Sequence, residues 1–163
     1  MSKKGSQSAA ESAREKVVSG VLVGRFDHNL DPKKRFTIPS EWRNAMGNPE
    51  YVYVMPDSRD RCLNLIPSEE MESRLEKLRE KALFDPALAP YLAAIGSASE
   101  QLVLDVQGRI RISDKLLQFA NLTTTVAMVG AVRMIKLWSP KAIPPQGEVD
   151  QAALGAALAA AGF

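Results

Sequence analysis

The stretch "LDPKKRFTIP", Leu30–Pro39, decides how the chain is read, because "LDVQGRIRIS", Leu104–Ser113, repeats it. Extended to Arg43 and Leu117, the two copies share Leu30/Leu104, Asp31/Asp105, Arg35/Arg109 and Ile38/Ile112. Apolar Phe36 and Trp42 stand opposite Ile110 and Leu116. The order then continues: "YVYVM" answers "VAMVG", and "CLNLI" answers "MIKLW". Each copy reads as strand, turn, strand, short helix, strand, turn, strand, from its β-branched runs and turn residues. The expectation is a duplicated β-rich unit with pseudo-two-fold symmetry.

The repeat also specifies the turn. Asp-x-x-Gly-Arg between two strands fits a three-residue hairpin, with Asp105 at the first position of a type I turn and Gly108 left-handed. In the first copy Pro32 suits the second turn position, where its fixed φ is wanted. Lys34, however, stands where the second copy has glycine. A left-handed lysine costs about 1–2 kcal/mol. Either this hairpin uses another turn, or it tolerates strain to place a cation at its tip.

Between the copies lie two helical segments. "PSEEMESRLEKLREKALF" predicts a helix over 68–83, capped by Ser68, with Met71, Leu75, Leu78 and Ala82 on one face. Residues 86–99 hold no charged side chain. A helix there starts near Pro86 or Pro90, and is buried either within the chain or against another subunit. Residues 1–17, rich in Ser, Ala, Lys and Glu, predict a flexible tail. After Pro140 the chain is rich in Pro and then Ala, with Val149, Leu154 and Leu158 as a thin apolar face for a weak helix. The divisions expected are a tail at 1–17, a first half at 18–85, a second half at 86–140 and a tail at 141–163.

Bulk properties exclude several classes. The 163 residues are 45% hydrophobic and 25% charged, enough for a real core. Cys62 is the one cysteine, so no internal disulfide can form, and in "CLNLI" it reads as a buried thiol. His28 is the one histidine; zinc ligand spacing and a local triad signature are both missing. No catalytic constellation is visible, so no enzyme, metal or cofactor is expected. No signal-peptide core or membrane-length apolar run is present, which predicts a cytoplasmic protein. The net charge of +2 implies no nucleic acid by itself. From Arg25 to Arg43, however, five cations (Arg25, Lys33, Lys34, Arg35, Arg43) face Asp27, Asp31 and Glu41, so the excess can sit on this one segment.

The motifs "GRFDHNLDPKKRFTIPSEWR" and "LDVQGRIRIS…LLQFANL…VAMVG…RMIKLWS" resemble the MraZ family of bacterial transcription regulators, over about Gly24–Ser139. That resemblance implies an α+β fold of two pseudo-symmetric AbrB-like swapped-hairpin halves, a central helical pair and a β-barrel-like core. It implies binding of double-stranded DNA at promoter repeat boxes by a homo-oligomeric ring, in control of a division and cell-wall gene cluster, at the nucleoid. It implies no membrane and no small-molecule substrate. The residues it marks for DNA are Arg35, Lys33 and Arg109, with Lys34, Arg25, Arg43 and Arg111 added by charge. The motif Asp and Arg can equally pin their own turns. The alternative is an AbrB-fold antitoxin-like DNA-binding protein with a protein partner, for which residues 141–163 would be the only wrapping tail.

Overall fold

The computed structural model describes residues 20–143 and 150–163. The tail at 1–17 and Val149 therefore lie outside the described residues. Leu22 makes a single bridge to Val132, and Gly24 (φ 89°) then turns the chain into β1, Arg25–Asn29. The left-handed glycine separates the Leu22 bridge from the strand. There follow β2 (Arg35–Thr37), α1 (Ser40–Ala45), β3 (Tyr51–Pro56) and β4 (Leu63–Pro67). Helix α2 (Ser68–Phe84), a 3-10 turn (Pro86–Leu88) and α3 (Ala89–Ala98) lead to β5 (Glu100–Val103) and β6 (Arg109–Arg111). The chain continues as α4 (Asp114–Phe119), β7 (Thr125–Gly130), β8 (Ile135–Trp138) and α5 (Gln151–Ala160).

Strands from the two repeats interleave. The main sheet is antiparallel with order β1-β7-β8-β4-β3-β5, so β1 of the first copy pairs with β7 of the second, and β5 of the second with β3 of the first. The short strands β2 and β6 pair only with each other, as Arg35↔Arg111, Phe36↔Ile110 and Thr37↔Arg109. Among the described residues no ladder joins edge strands β1 and β5. The expected barrel-like core is thus an open α+β sheet covered by a separate two-stranded ribbon. Three-residue strands offer too few ladder bonds to close it.

The core lies between ribbon and sheet. Alternation sends Phe36 and Ile110 inward, 2% and 1% exposed, onto Val52, Leu65, Met128 and Leu137. Truncating such a side chain to alanine costs about 2–5 kcal/mol. Helix α1 adds Trp42, which packs edge-on against Phe26 with centroids 4.9 Å apart and donates its indole N–H to Val23 O at 2.9 Å. Helix α4 adds Leu116 and Leu117. Its N-cap is Ser113, whose hydroxyl accepts from Leu116 N–H.

Ser68 does not cap α2. Pro67 holds the cap position without a side-chain bond, and Ser68 is the first helical residue. Proline's extended φ/ψ suits the entry from β4 and pushes the boundary one residue earlier. Met71 is buried and Leu75, Leu78 and Ala82 are half-buried, on the face expected. Tyr51 donates its hydroxyl to Glu72, tying β3 to α2. Helix α3 has no fully buried residue, and its Leu92 and Ile95 are half-buried, so packing within the chain covers it only in part. No helix of the described residues is long and apolar enough to cross a membrane.

Candidate nucleic-acid interface

The two turns have the same bonds. Lys34 N–H donates to Asp31 O and Gly108 N–H to Asp105 O, each at 2.9 Å. The Asp31 carboxylate accepts from the backbone N–H of Lys33 and Arg35 and from Arg35 Nε at 2.7 Å. Asp105 does the same with Gln107, Arg109 and Arg109 Nε, again at 2.7 Å. Lys34 has φ 63° and Gly108 has φ 76°. The first hairpin therefore keeps the turn and places lysine in its left-handed position, where a side chain is disfavoured. The backbone donations from Arg35 and Arg109, then their guanidinium bonds, lower the carboxyl pKa of Asp31 and Asp105. Motif Asp and Arg do pin their own turns.

The ribbon sets the side chains of both turns on one surface. Opposite residues of an antiparallel pair share a face, so Arg35, Arg111, Thr37 and Arg109 all point away from buried Phe36 and Ile110. Arg35 stands directly opposite Arg111. Like charges so placed destabilise a sheet. Asp31 partly neutralises Arg35, whereas among the described residues no ion pair holds Arg111, which is exposed. Lys34 O accepts from Ile112 N–H at one end of the ribbon, and Gly108 O from Ile38 N–H at the other. The turns are thus four residue steps apart, about 13 Å along the strands. Pro32, Lys33 and Lys34 are exposed at the first tip.

Two of the residues marked by charge sit elsewhere. Arg43 is half-buried, donates from Nε to Ile38 O at 3.0 Å, and lies against the second turn at Gly108. Arg25 lies in β1 and pairs with Asp27 at 2.8 Å, its pKa raised by that bond. The basic segment 25–43 is therefore dispersed. The concentrated surface is the ribbon face, and it needs Arg111 from the second copy. The signal for Arg111 in sequence is the alternation "RIRIS", which puts two arginines on one face.

Other candidates resolve simply. Cys62 is fully buried, and burial pushes its thiol up to about 11. His28 is half-buried in β1. No group of acids, His and Cys suited to a metal occurs among the described residues. Asp57 binds Lys136 Nζ and Asn64 Nδ2 at 2.9 and 3.0 Å, and accepts from the backbone of Arg59 and Asp60. That network ties the β3–β4 turn to β8.

Residues 96–143 match the family model described as "MraZ protein, putative antitoxin-like". Similar proteins include the "Transcriptional regulator MraZ" of Thermomicrobium roseum, 30% identical over 129 residues, covering 79% of this chain and 89% of the relative. The same name is carried by a protein of Clostridium tetani, 28% identical over 119 residues (73% of this chain, 82% of the relative). With the Asp-x-x-x-Arg turn present in both halves of a chain matched over most of its length, this protein belongs to the MraZ family.

Proposed function

We propose that the protein is a sequence-specific DNA-binding regulator of transcription rather than an enzyme. The observation that carries this reading is the ribbon face, where Arg35, Arg109 and Arg111 share one side with lysines at its tip. A two-stranded ribbon fits a B-DNA major groove about 12 Å wide. Arginine reads guanine bidentately, at about 1–3 kcal/mol of discrimination, while Lys33 and Lys34 contact phosphates. The like-charged pair Arg35–Arg111 gains nothing structural and is satisfied by an anion in front of it.

Interleaving of strands from the two copies supports reading the fold as swapped hairpins. We further propose a homo-oligomeric ring that binds promoter repeats with avidity, since one ribbon offers few contacts. Partly covered α3 and the exposed Leu83, Phe84 and Tyr91 favour contact with further copies. The gene targets are the protein's own division and cell-wall cluster, and the site of action is the nucleoid.

Fluorescence polarisation of a labelled duplex from upstream of that cluster tests the reading. Expected is tighter binding than to an unrelated duplex, weakening steeply with salt. Equal affinity for both duplexes, or indifference to salt, overturns it.

A further inference from the structure

Beside the first turn lie two clefts that share residues. One, of about 400 Å³, is lined by Lys34, Asp114, Gln118, Asn121 and Thr123, among others. The other, of about 570 Å³, takes in Asn121 and Thr123 again and runs past Thr124 and Ser139 to Lys141. Together they form a continuous surface in which hydroxyl and amide side chains are mixed with apolar Leu117, Leu122, Pro140 and Ala142, with a lysine among the lining residues of each cleft. Asp114 is the one carboxylate among the lining residues. Neither lysine has an ion-pair partner among the described residues.

The loop at 121–124 is fixed in place. Leu30 N–H donates to Thr124 O at 2.8 Å, and Thr125 Oγ1 donates to Asn29 Oδ1 at 3.3 Å, so the loop is tied to the end of β1, where the first turn begins. Asn121 (φ 53°) closes α4 in the left-handed region. At the second turn the corresponding place is filled, because Arg43 stands where the repeat has Leu117 and covers Gly108. The two turns are therefore unequal in what surrounds them.

We propose that this surface, from Lys34 through Gln118, Asn121 and Thr123 to Lys141, binds the phosphates of duplex DNA and extends the contact beyond the ribbon. It rests on the DNA-binding reading above. Hydroxyl and amide groups flanked by lysines suit phosphodiester oxygens, which carry no sequence information. The surface holds register along the duplex, while the ribbon arginines read bases.

The test uses the full chain, with promoter and unrelated duplexes in polarisation titrations at several salt concentrations. Lys141→Ala is expected to flatten the log–log salt slope by about 0.9 and weaken binding to both duplexes equally. Gln118→Glu adds a repelling charge and weakens both further; Asp114→Asn tightens both. Hydroxyl-radical footprints of Lys141→Ala are expected to shorten on one side. Inorganic phosphate at matched ionic strength is expected to leave the duplex bound. Unchanged affinity and slope in both Lys141→Ala and Gln118→Glu, with wild type still binding, overturns this proposal and leaves the ribbon reading intact. So does a selective loss on the promoter duplex alone, or displacement by phosphate, which marks a free-anion site. Wild type that binds no duplex overturns both readings.

Discussion

Arg43 of the first repeat lies over Gly108 of the second, so close that a Cβ at Gly108 would come within 2.5 Å of its Cζ. Glycine is thus favoured here by φ 76°, and a side chain in its place would have to displace the end of Arg43. Lys34 adopts the same backbone under a different neighbour. Gly108→Lys is expected to destabilise by about 1–2 kcal/mol in urea denaturation, from left-handed strain, with the flexible end of Arg43 moving aside. Lys34→Gly is expected to stabilise by about 0.5–1 kcal/mol, strain relief being partly offset by unfolded-state entropy, while weakening DNA binding and flattening the salt slope. A stabilised Lys34→Gly variant with unchanged DNA affinity would leave the lysine without a role.

Arg35 and Arg111 face each other, but only Arg35 is tied to its own turn. Arg35→Ala is expected to abolish specific binding and also loosen the turn; Arg109→Ala weakens binding less. Arg111→Ala separates the two effects. It is expected to keep or slightly raise the melting temperature, because a like-charge pair disappears, and to weaken promoter binding about tenfold or more. Titration of all three variants alongside thermal melts checks this, and normal binding by Arg111→Ala contradicts it.

Asp57 is held well below the ordinary carboxylate range, first by its bond to Lys136 and then by the backbone of Asp60 and Arg59. A depressed pKa contributes stability that is present above the unfolded value and fades as pH falls through the folded one. Asp57→Ala is expected to cost about 2–3 kcal/mol at pH 7. The gap to wild type should narrow as pH drops below about 4. Asp31 and Asp105, lowered in the same direction, add to acid sensitivity. Urea midpoints from pH 7 to pH 3 measure it; a gap that widens in acid has the wrong sign.

Cys62, buried with its thiol raised to about 11, should resist iodoacetamide at pH 8 in the native state and react on unfolding. Cys62→Ser is expected to cost about 1–3 kcal/mol by burying a hydroxyl. Mass spectrometry of the alkylated protein reads the first, and urea denaturation the second.

Every residue of α5 is exposed, with Leu154 and Leu158 at 45% and 41%. Ending the chain at Ile143 should therefore leave stability within about 0.5 kcal/mol of the full protein. A larger loss in urea denaturation would mean that α5 packs on the assembled protein.

Much of this was legible in sequence because local rules act on adjacent residues. Strand alternation in "YVYVM" and "GRIRIS" and the charge-free run at 86–99 each announce an element. Boundaries fared less well where neighbours compete: Pro67 displaced Ser68 from the cap. The Asp57–Lys136 bond joins residues far apart in sequence, so no local pattern could reveal it.

The sequence by itself determined that both turns hold a motif Asp and Arg, and that cations gather near Lys33. These follow from residue order and short-range backbone preference. Only tertiary structure decided which cations share a surface. Pairing of β2 with β6 sets Arg111 opposite Arg35, while packing carries Arg43 away to Gly108. A strand's register flips every side chain with a one-residue slip, and it is fixed by burying Phe36 against Ile110 in a core built from both halves.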